Sequence, residues 1–395
     1  MEKTINECFF QIQNGANIKQ GDVEGGFPIT RIETTANDKF NRDRMGYAGI
    51  TDISKYEAYV LEDGDLLMSH INSVQYLGRT VLYVKQPDET IIHGMNLLRL
   101  KARRNIINPA YARYCFCGHT FRCQIGNITK KSVNQASFAV KDLKQIKMEV
   151  PSLDVQNKVV VILDRVQKII DMRNNALASL DDLIKARFVE MFGDMYLNSK
   201  GWSEAKLESM ADVVSGITKG RKTKSEDLTE VPYMAVSNVK DGYIDWTTVK
   251  TIEATQQEIE QYRLLADDVL MTEGGDPDKV GRGAIIKEPL ENCIHQNHIF
   301  RVRLDESVML PEFFAEYLQH QRSKRYFLGC AKQTTGIASI NMTQLRALPV
   351  LMPPLSKQEE FVLFKAQVNK SKVAVQKALD ETQLLFDSLM QQYFG

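Results

Sequence analysis

The stretch VPSLDVQNKVVVIL (150–163) has a near twin in MPPLSKQEEFVLF (352–364), and each stands just before a long apolar-periodic run. Aligning Gln156 with Gln358 sets an offset of 358 − 156 = 202, which brings Pro151 onto Pro353 and Leu153 onto Leu355. The register holds forward: Val160 meets Val362, Val166 meets Val368, Leu177 meets Leu379, Ile184 meets Phe386, and Phe192-Gly193 meets Phe394-Gly395. It also holds backward, through Ala136-Ser137 on Ala338-Ser339, Pro109 on Pro311, Arg99 on Arg301 and Ile92-His93 on Ile294-His295. With one residue of slippage, Gly78-Arg79 meets Gly281-Arg282 and DLLM (65–68) meets DVLM (268–271). No single pair carries weight, but the whole register reads as a tandem duplication with units of roughly 200 residues.

Each unit divides into a globular part and a helix. Short apolar runs rich in β-branched and aromatic residues, such as VPYMAV, DDVLMTE, GAIIKE and HIFRVRL, predict strands. LPEFFAEYLQHQRSKRYFL and its counterpart NPAYARYCFCGHTFRCQI each predict one helix with proline near the first turn. After the proline-leucine motif, Leu163, Ile170, Leu177, Ile184 and Met191 recur every seven residues, flanked by Ile162, Ile169, Ala176 and Leu183. In the second copy Val375, Leu379, Phe386, Leu389 and Tyr393 follow three-four spacing. Sustained heptads argue for a coiled-coil seam. A helix of about 40 residues would be about 60 Å long, more than one small domain needs. The alternative is that each helix packs only on its own globular part.

The expected fold class is therefore α+β: a duplicated α/β globular part plus a long helix, the two helices forming an antiparallel coiled coil. The boundaries are a first globular part over 1–150, a central helix over 151–195, a second globular part over 196–352 and a final helix over 353–395. The duplication further suggests globular parts at opposite ends of a helical rod, related by a pseudo-twofold axis.

Composition narrows the class without deciding it. The chain is 43% hydrophobic and 25% charged, and its 50 Lys+Arg balance its 50 Asp+Glu, so net charge does not announce a nucleic-acid binder. MEKTINECFF lacks the layout of a signal peptide, VVVIL is too short to span a bilayer, and six scattered cysteines show no disulfide framework. A reduced, cytoplasmic protein is the simplest expectation.

The order of globular part, P-x-L-x-x-Q (PSLDVQ, PPLSKQ) and long helix, written twice, resembles the specificity (S) subunit of type I restriction-modification enzymes. The matching pieces include LADDVLM, GRGAII, NHIFRV and TTGIASINMTQLRALPVLMPPLSKQ, and the resemblance covers essentially the whole chain. It departs where Pro151 is followed by Ser rather than Pro, and in a short N-terminal part that matches poorly. The resemblance implies two target-recognition domains, each reading one half of a split, asymmetric site in double-stranded DNA. It implies helices that dock two methyltransferase (M) subunits and restriction (R) subunits, with Leu163, Ile170, Leu177, Ile184, Val375, Leu379, Phe386 and Leu389 forming the coiled coil and docking surface. S-adenosylmethionine, ATP and Mg would sit on those partners, leaving this chain without cofactor, metal or catalytic residues. The alternative is a duplicated coiled-coil scaffold that joins proteins without reading DNA.

Base edges supply specificity while Lys and Arg contacts to phosphate position the reader, so polar, basic loops are the candidates. In the second unit SGITKGRKTKSE offers Lys219, Arg221, Lys222 and Lys224; GGDPDKVGRG offers Lys279 and Arg282; KQTTGIASIN offers Lys332, Thr334, Thr335 and Asn341. The first unit offers Lys19, Arg42, Arg44, Arg79, Lys130, Lys131 and Asn134.

Three motifs invite other chemistry. NPAY (108–111) resembles the Asn-Pro-Pro-Tyr motif of amino-methyltransferases, but it lacks the second proline and its counterpart LPEF marks it as a helix start. CFCGHTFRC puts Cys115, His119 and Cys123 on one helical face with Cys117 nearby, a set that zinc favours. The second copy has Tyr317, Gln321 and Arg325 there, so the fold needs no metal. GGDPDKVGRG lacks the Gly-Lys-Ser/Thr ending of a phosphate loop and reads as a turn between strands.

Overall fold

The glutamine of the repeated motif is buried in both copies, and its hydrogen bonds explain why the motif is written twice. A computed structural model of the chain describes every residue except 22–24, 133–134, 222–226, 277–278 and 335–336. Gln156 donates from Nε2 to the carbonyls of Ile106 (2.9 Å) and Pro151 (2.8 Å), and its Oε1 accepts from the Asn108 N–H at 2.8 Å. Gln358 repeats this on Val308 (3.1 Å), Pro353 (2.9 Å) and the N–H of Leu310 (2.9 Å). One side chain thus ties three strands of chain together: the proline entry, the loop before a domain helix, and the long helix itself.

From these staples run helices Leu153–Phe192 and Leu355–Phe394, each of 40 residues. Neither contains proline or glycine, and proline stands just upstream, where its restricted backbone suits an entry but not an interior. The first helix stops at Gly193, whose φ of 76° is available to glycine at little cost.

The contacts divide the chain into two compact units, Met1–Asn175 with Gln376–Gly395, and Ala176–Val375. In the first unit Val159, Val160 and Leu163 enter one core with Phe394, and Phe386, Leu389 and Tyr393 pack against it. Tyr114 lies against Phe386 and donates to Asp164 (2.7 Å), while Arg173 reaches Ala378 and Thr382, so the two helical segments run antiparallel. In the second unit Phe188 and Phe192 pack on Phe361. Arg187 pairs with Glu360 (2.8 Å) and Asp181 with Lys372 (2.5 Å), again antiparallel. The expected coiled-coil contact is present within each unit, but the helices also complete the domain cores. Each unit's core takes side chains from both helices, so the alternative of each helix serving only its own globular part does not hold.

The same sheet recurs in both units. Phe9–Asn14, Leu97–Ala102, Leu66–Ser69 and Thr80–Leu82 lie side by side in an antiparallel sheet, matched by Ala211–Ser215, Ile299–Leu304, Val269–Thr272 and Gly283–Ile285. Leu97–Ala102 and Ile299–Leu304 are almost wholly buried, as central strands covered on both faces must be. A small three-stranded sheet follows: Ile71–Asn72, Ala136–Ser137 and Lys130–Lys131 in the first unit, Gly274–Gly275, Ile337–Ser339 and Lys332–Thr334 in the second. The second unit adds a sheet of Lys250–Ala254, Thr229–Met234 and Ile294–His295.

One sequence expectation is corrected. The helices expected after NPAY and LPEF are each broken in two, into Pro109–Cys117 with His119–Ile128 and Pro311–Leu318 with Gln321–Cys330. At Gly118 the backbone turns extended where Phe394 of the returning helix presses so close that a Cβ would meet it at 2.5 Å. His320, at the equivalent place, stacks on Phe188 with centroids 4.1 Å apart. Tertiary packing sets the break, and helical periodicity continues through it.

Replacing Gln156 or Gln358 by Leu leaves one N–H and two carbonyls buried without partners. Either variant is expected to lose about 3 kcal/mol of stability in a urea titration followed by circular dichroism. A loss under about 0.5 kcal/mol would show that the staple is incidental.

Candidate nucleic-acid interface

In each unit a glycine turn and a hairpin bring cationic residues to one region. Gly78 and Gly281 have φ of 72° and 70° and pack on Ile125 and Phe327, an approach a side chain would obstruct. The turn pairs back on the sheet: Ser69 donates to the Arg79 carbonyl (2.9 Å), and Thr272 to that of Arg282 (3.0 Å). Two residues on, Ile71 pairs with Ser137, which pairs with Lys130; in the second unit Gly274 pairs with Ser339, which pairs with Lys332. Arg79 with Lys130 and Lys131, and Arg282 with Lys332, are therefore carried by the same neighbouring strands in both copies.

The candidate cations differ in how free they are. Lys19, Arg44, Lys130, Lys131, Lys219 and Lys332 are exposed and form no ion pair among the described residues. Arg42, Arg79 and Arg221 are engaged inside the fold, and Lys279 is held in an ion pair at the surface. Arg42 grips Glu89 at 2.7 Å and the Val84 carbonyl at 2.8 Å. Arg221 grips Glu258 and the Glu253 carbonyl. These guanidinium hydrogen bonds push Glu89 and Glu258 down to about 2 each. Arg79 pairs with Asp38 at 3.1 Å and lies over the Tyr76 ring, and Lys279 pairs with Asp276. Bidentate pairs of this kind fix loop shape, so Arg42 holds the segment carrying Arg44 against 84–89 and Arg221 holds the segment carrying Lys219 against 253–258. Their partners lie 47 and 37 residues away, out of reach of local sequence reading.

Asn341 is the N-cap of helix Met342–Arg346, its side chain accepting from the Gln344 N–H at 2.9 Å. Thr334 lies in the strand Lys332–Thr334. Asn134, Lys222, Lys224 and Thr335 fall outside the described residues.

The other motifs resolve into structure. Asn108 caps its helix, accepting from Ala110 (2.8 Å) and Tyr111 (3.4 Å), with Pro109 in the first turn. The break at Gly118 separates Cys115 and Cys117 from His119 and Cys123, which correct the shared helical face read from the sequence; Cys123 lies 3.3 Å from His119 Nε2.

Of the residues read as coiled coil and docking surface, Leu163, Ile170 and Ile184 are buried, and Leu177, Val375, Leu379, Phe386 and Leu389 are half-buried; Leu163, Phe386 and Leu389 belong to or pack on the first unit's core, and Ile184 belongs to the second's. The large apolar side chains that the helices do expose are Val155, Val161, Ile162, Ile169, Met172, Leu384 and Leu385 in the first unit, and Leu183, Val189, Leu363 and Val373 in the second. The signal was present: the heptad pattern had more apolar positions than one seam uses.

His93 and His295, equivalent in the repeat, are fully buried beside the central strands. His93 donates to the Leu97 carbonyl (2.8 Å) and His295 to that of Tyr262 (3.0 Å). Burial pushes them down to about 3 and about 4 from an ordinary 6.5. The unfolded chain takes up protons near 6.5 that the folded chain refuses, so stability is full above that value and falls as pH drops toward 4. Between pH 7 and 5 each histidine is expected to remove about 2 kcal/mol, measurable by denaturation at the two pH values. His93→Gln should flatten part of that dependence.

A family model described as the type I restriction modification DNA specificity domain matches residues 2–181 and again 199–381. The chain is 32% identical over 208 residues to a protein of Methanocaldococcus jannaschii named as the type I restriction enzyme MjaX specificity subunit, covering 52% of this chain and 48% of that one. It is 24% identical over 160 residues to the EcoKI specificity subunit of Escherichia coli K12, covering 40% and 34%. Over 402 residues it is 23% identical to the StySPI specificity subunit of Salmonella potsdam, covering 98% and 84%. The match thus spans about half or less of the first two relatives. In fold it is similar to the type I restriction-modification S subunit of M. genitalium (TM-score 0.57, 13% identity, 100% of this chain and 96% of that one). It is also similar to a chain from a study of assembly and conformational transition of a type I R-M system (TM-score 0.59, 16% identity, 100% and 96%). No helix among the described residues is long and apolar enough to cross a membrane.

Proposed function

The chain belongs to the type I restriction-modification DNA specificity family, and on that premise we propose that it reads a bipartite, asymmetric DNA site without itself being an enzyme. The observation that carries this reading is the repetition of free lysines on equivalent hairpins, Lys130 and Lys131 in one unit and Lys332 in the other. The scaffold around them is shared, while the residues that would meet bases differ between units, so the two half-sites differ. The loops fixed by Arg42 and Arg221 hold the reading surfaces in shape, and the lysines neutralise phosphate.

In this reading the chemistry belongs to partner chains: methyltransferase subunits with S-adenosylmethionine, and restriction subunits with ATP and Mg. The methyltransferase docks on the outward apolar residues of the long helices, which the domain cores leave exposed. The complex acts in the cytoplasm, where the DNA is.

The test is a methylome. The chain is co-expressed with the methyltransferase subunit encoded beside it, and methyladenine is mapped across the host genome by single-molecule sequencing. A split, asymmetric motif that disappears without this chain is expected. A stable complex with no new motif would overturn the reading in favour of a protein scaffold.

Two further outcomes are expected. Lys130→Ala with Lys131→Ala should weaken DNA binding by the assembled complex and reduce the slope of log K against log salt by about 2, read by fluorescence anisotropy over a salt series. Val373→Asp should reduce co-purification of the methyltransferase subunit and leave the melting temperature unchanged. Leu163→Asp, which buries an unpaired charge, should instead cost more than about 3 kcal/mol of stability.

A further inference from the structure

The two units share a glycine turn, but the arginine that follows it is used differently in each. In the first unit Arg79 is spent: its Nε pairs with Asp38 at 3.1 Å and its guanidinium lies over the Tyr76 ring at 4.6 Å. Its counterpart is Arg282, at an offset of 282 − 79 = 203, and at the same offset Tyr76 is replaced by Lys279. Arg282 is half-buried and its Nε is buried without a partner. Among the described residues its side chain forms no hydrogen bond or ion pair. Asp276, close enough to feel its charge, is paired with Lys279 instead. Other arginines with an unpartnered, buried Nε place their outer nitrogens on the fold: Arg99 on the Val60 carbonyl, Arg301 on Asp212 and Arg322 on the Met195 carbonyl. Arg282 places none.

The strand beside it is stripped of side chains as well. Ile71 and Asn72 of the first unit correspond to Gly274 and Gly275 of the second. Asn72 donates to Ser69 Oγ at 3.3 Å. Thr272 stands at the place of Ser69, and its backbone N–H donates to the Arg282 carbonyl at 3.0 Å. Thr272 is fully buried and its Oγ1 has no partner. The backbone does not call for glycine at 275: its φ is not positive, and an added Cβ would meet nothing closer than Lys279 Cβ at 3.7 Å, an ordinary contact. A strand glycine without such a reason marks a place where another group comes close to the backbone. A guanidinium nitrogen and a hydroxyl buried without partners are costly. In the first unit the Ser69 hydroxyl has its partner and the Arg79 guanidinium is paired with Asp38.

We propose that Arg282 reads a guanine in the second unit's half-site, its guanidinium donating to O6 and N7 in the major groove, and that Arg79 makes no such contact in the first. The assignment rests on the DNA reading proposed above and adds the base. A phosphate asks only for charge, which the exposed Lys332 on the neighbouring hairpin supplies. Arg282 differs in three respects. Its place is fixed by the turn at Gly281, which packs on Phe327. No internal carboxylate competes for its fork. The bare strand Gly274–Gly275 lets a base edge come near. A planar fork of donors selects guanine, the base that offers O6 and N7 side by side as acceptors. Equivalent places in the duplicated fold thus read DNA differently, which is one source of an asymmetric site.

The experiment compares methylomes of the full chain, Arg282→Lys and Arg79→Lys, each co-expressed with the methyltransferase subunit encoded beside it. Lysine keeps the charge and loses the fork. Because the Arg282 side chain bonds to nothing in the fold, Arg282→Lys should leave the melting temperature unchanged. It is expected to admit other bases at one guanine of one half-site and to leave the other half-site intact. Arg79→Lys is expected to relax no position. In anisotropy titrations of the assembled complex, a duplex with another base pair at that guanine should bind the wild type about tenfold or more weakly, and Arg282→Lys should discriminate less than about threefold. A split motif that Arg282→Lys leaves unchanged would overturn the assignment and leave DNA reading standing. Weakening on all sequences alike would make Arg282 a phosphate contact and overturn it too. Relaxation by Arg79→Lys would overturn the difference between the units. Absence of any split motif with the wild-type chain would overturn DNA reading and this assignment together.

Discussion

Everything in this chain hangs on the two buried glutamines. A 40-residue helix has no intrinsic reason to leave a domain at a fixed angle and point. Gln156 and Gln358 supply one, each tying the helix to the entry proline and to the loop before a domain helix. Three hydrogen bonds made by one amide in a dry setting must all be satisfied together. That requirement fixes where the helix starts, and from there its apolar positions fall on the domain core.

The consequence is an economy of cores. Each unit is completed by segments of both long helices, so neither globular part is self-sufficient. Phe394 closes the first unit's core at the same point where Phe192 closes the second's. The apolar residues that remain outside, Leu183 and Val373 among them, are then free for a partner. A surface helix that buries one face and exposes a second apolar face is suited to assembly.

The proposed reading surface follows a similar division between fixed and free cations. Arg42 and Arg221 are spent on Glu89 and Glu258, which gives the loops a shape. The lysines on the small sheets stay unpaired and exposed. A chain of zero net charge can thus carry local cationic patches, placed by backbone register rather than by composition.

Much of this was legible in the residues. Repetition exposed the duplication, period-seven spacing exposed the helices, and short β-branched runs such as Ile299–Leu304 marked the central strands. The glycine turn at Gly78 and Gly281 was visible as an aligned pair. Three things were not legible. The break at Gly118 is imposed by Phe394, more than 270 residues away in sequence. The ion pairs of Arg42 and Arg221 join residues with no local relation. Which apolar residues of the long helices stay exposed is set by the faces that cores built from both helices cover. Sequence by itself determined the order and type of elements, because periodicity and backbone restriction act between neighbours. Only the tertiary structure decided which cations are free and which apolar faces remain exposed, because those depend on what burial and hydrogen bonding bring together from distant parts of the chain.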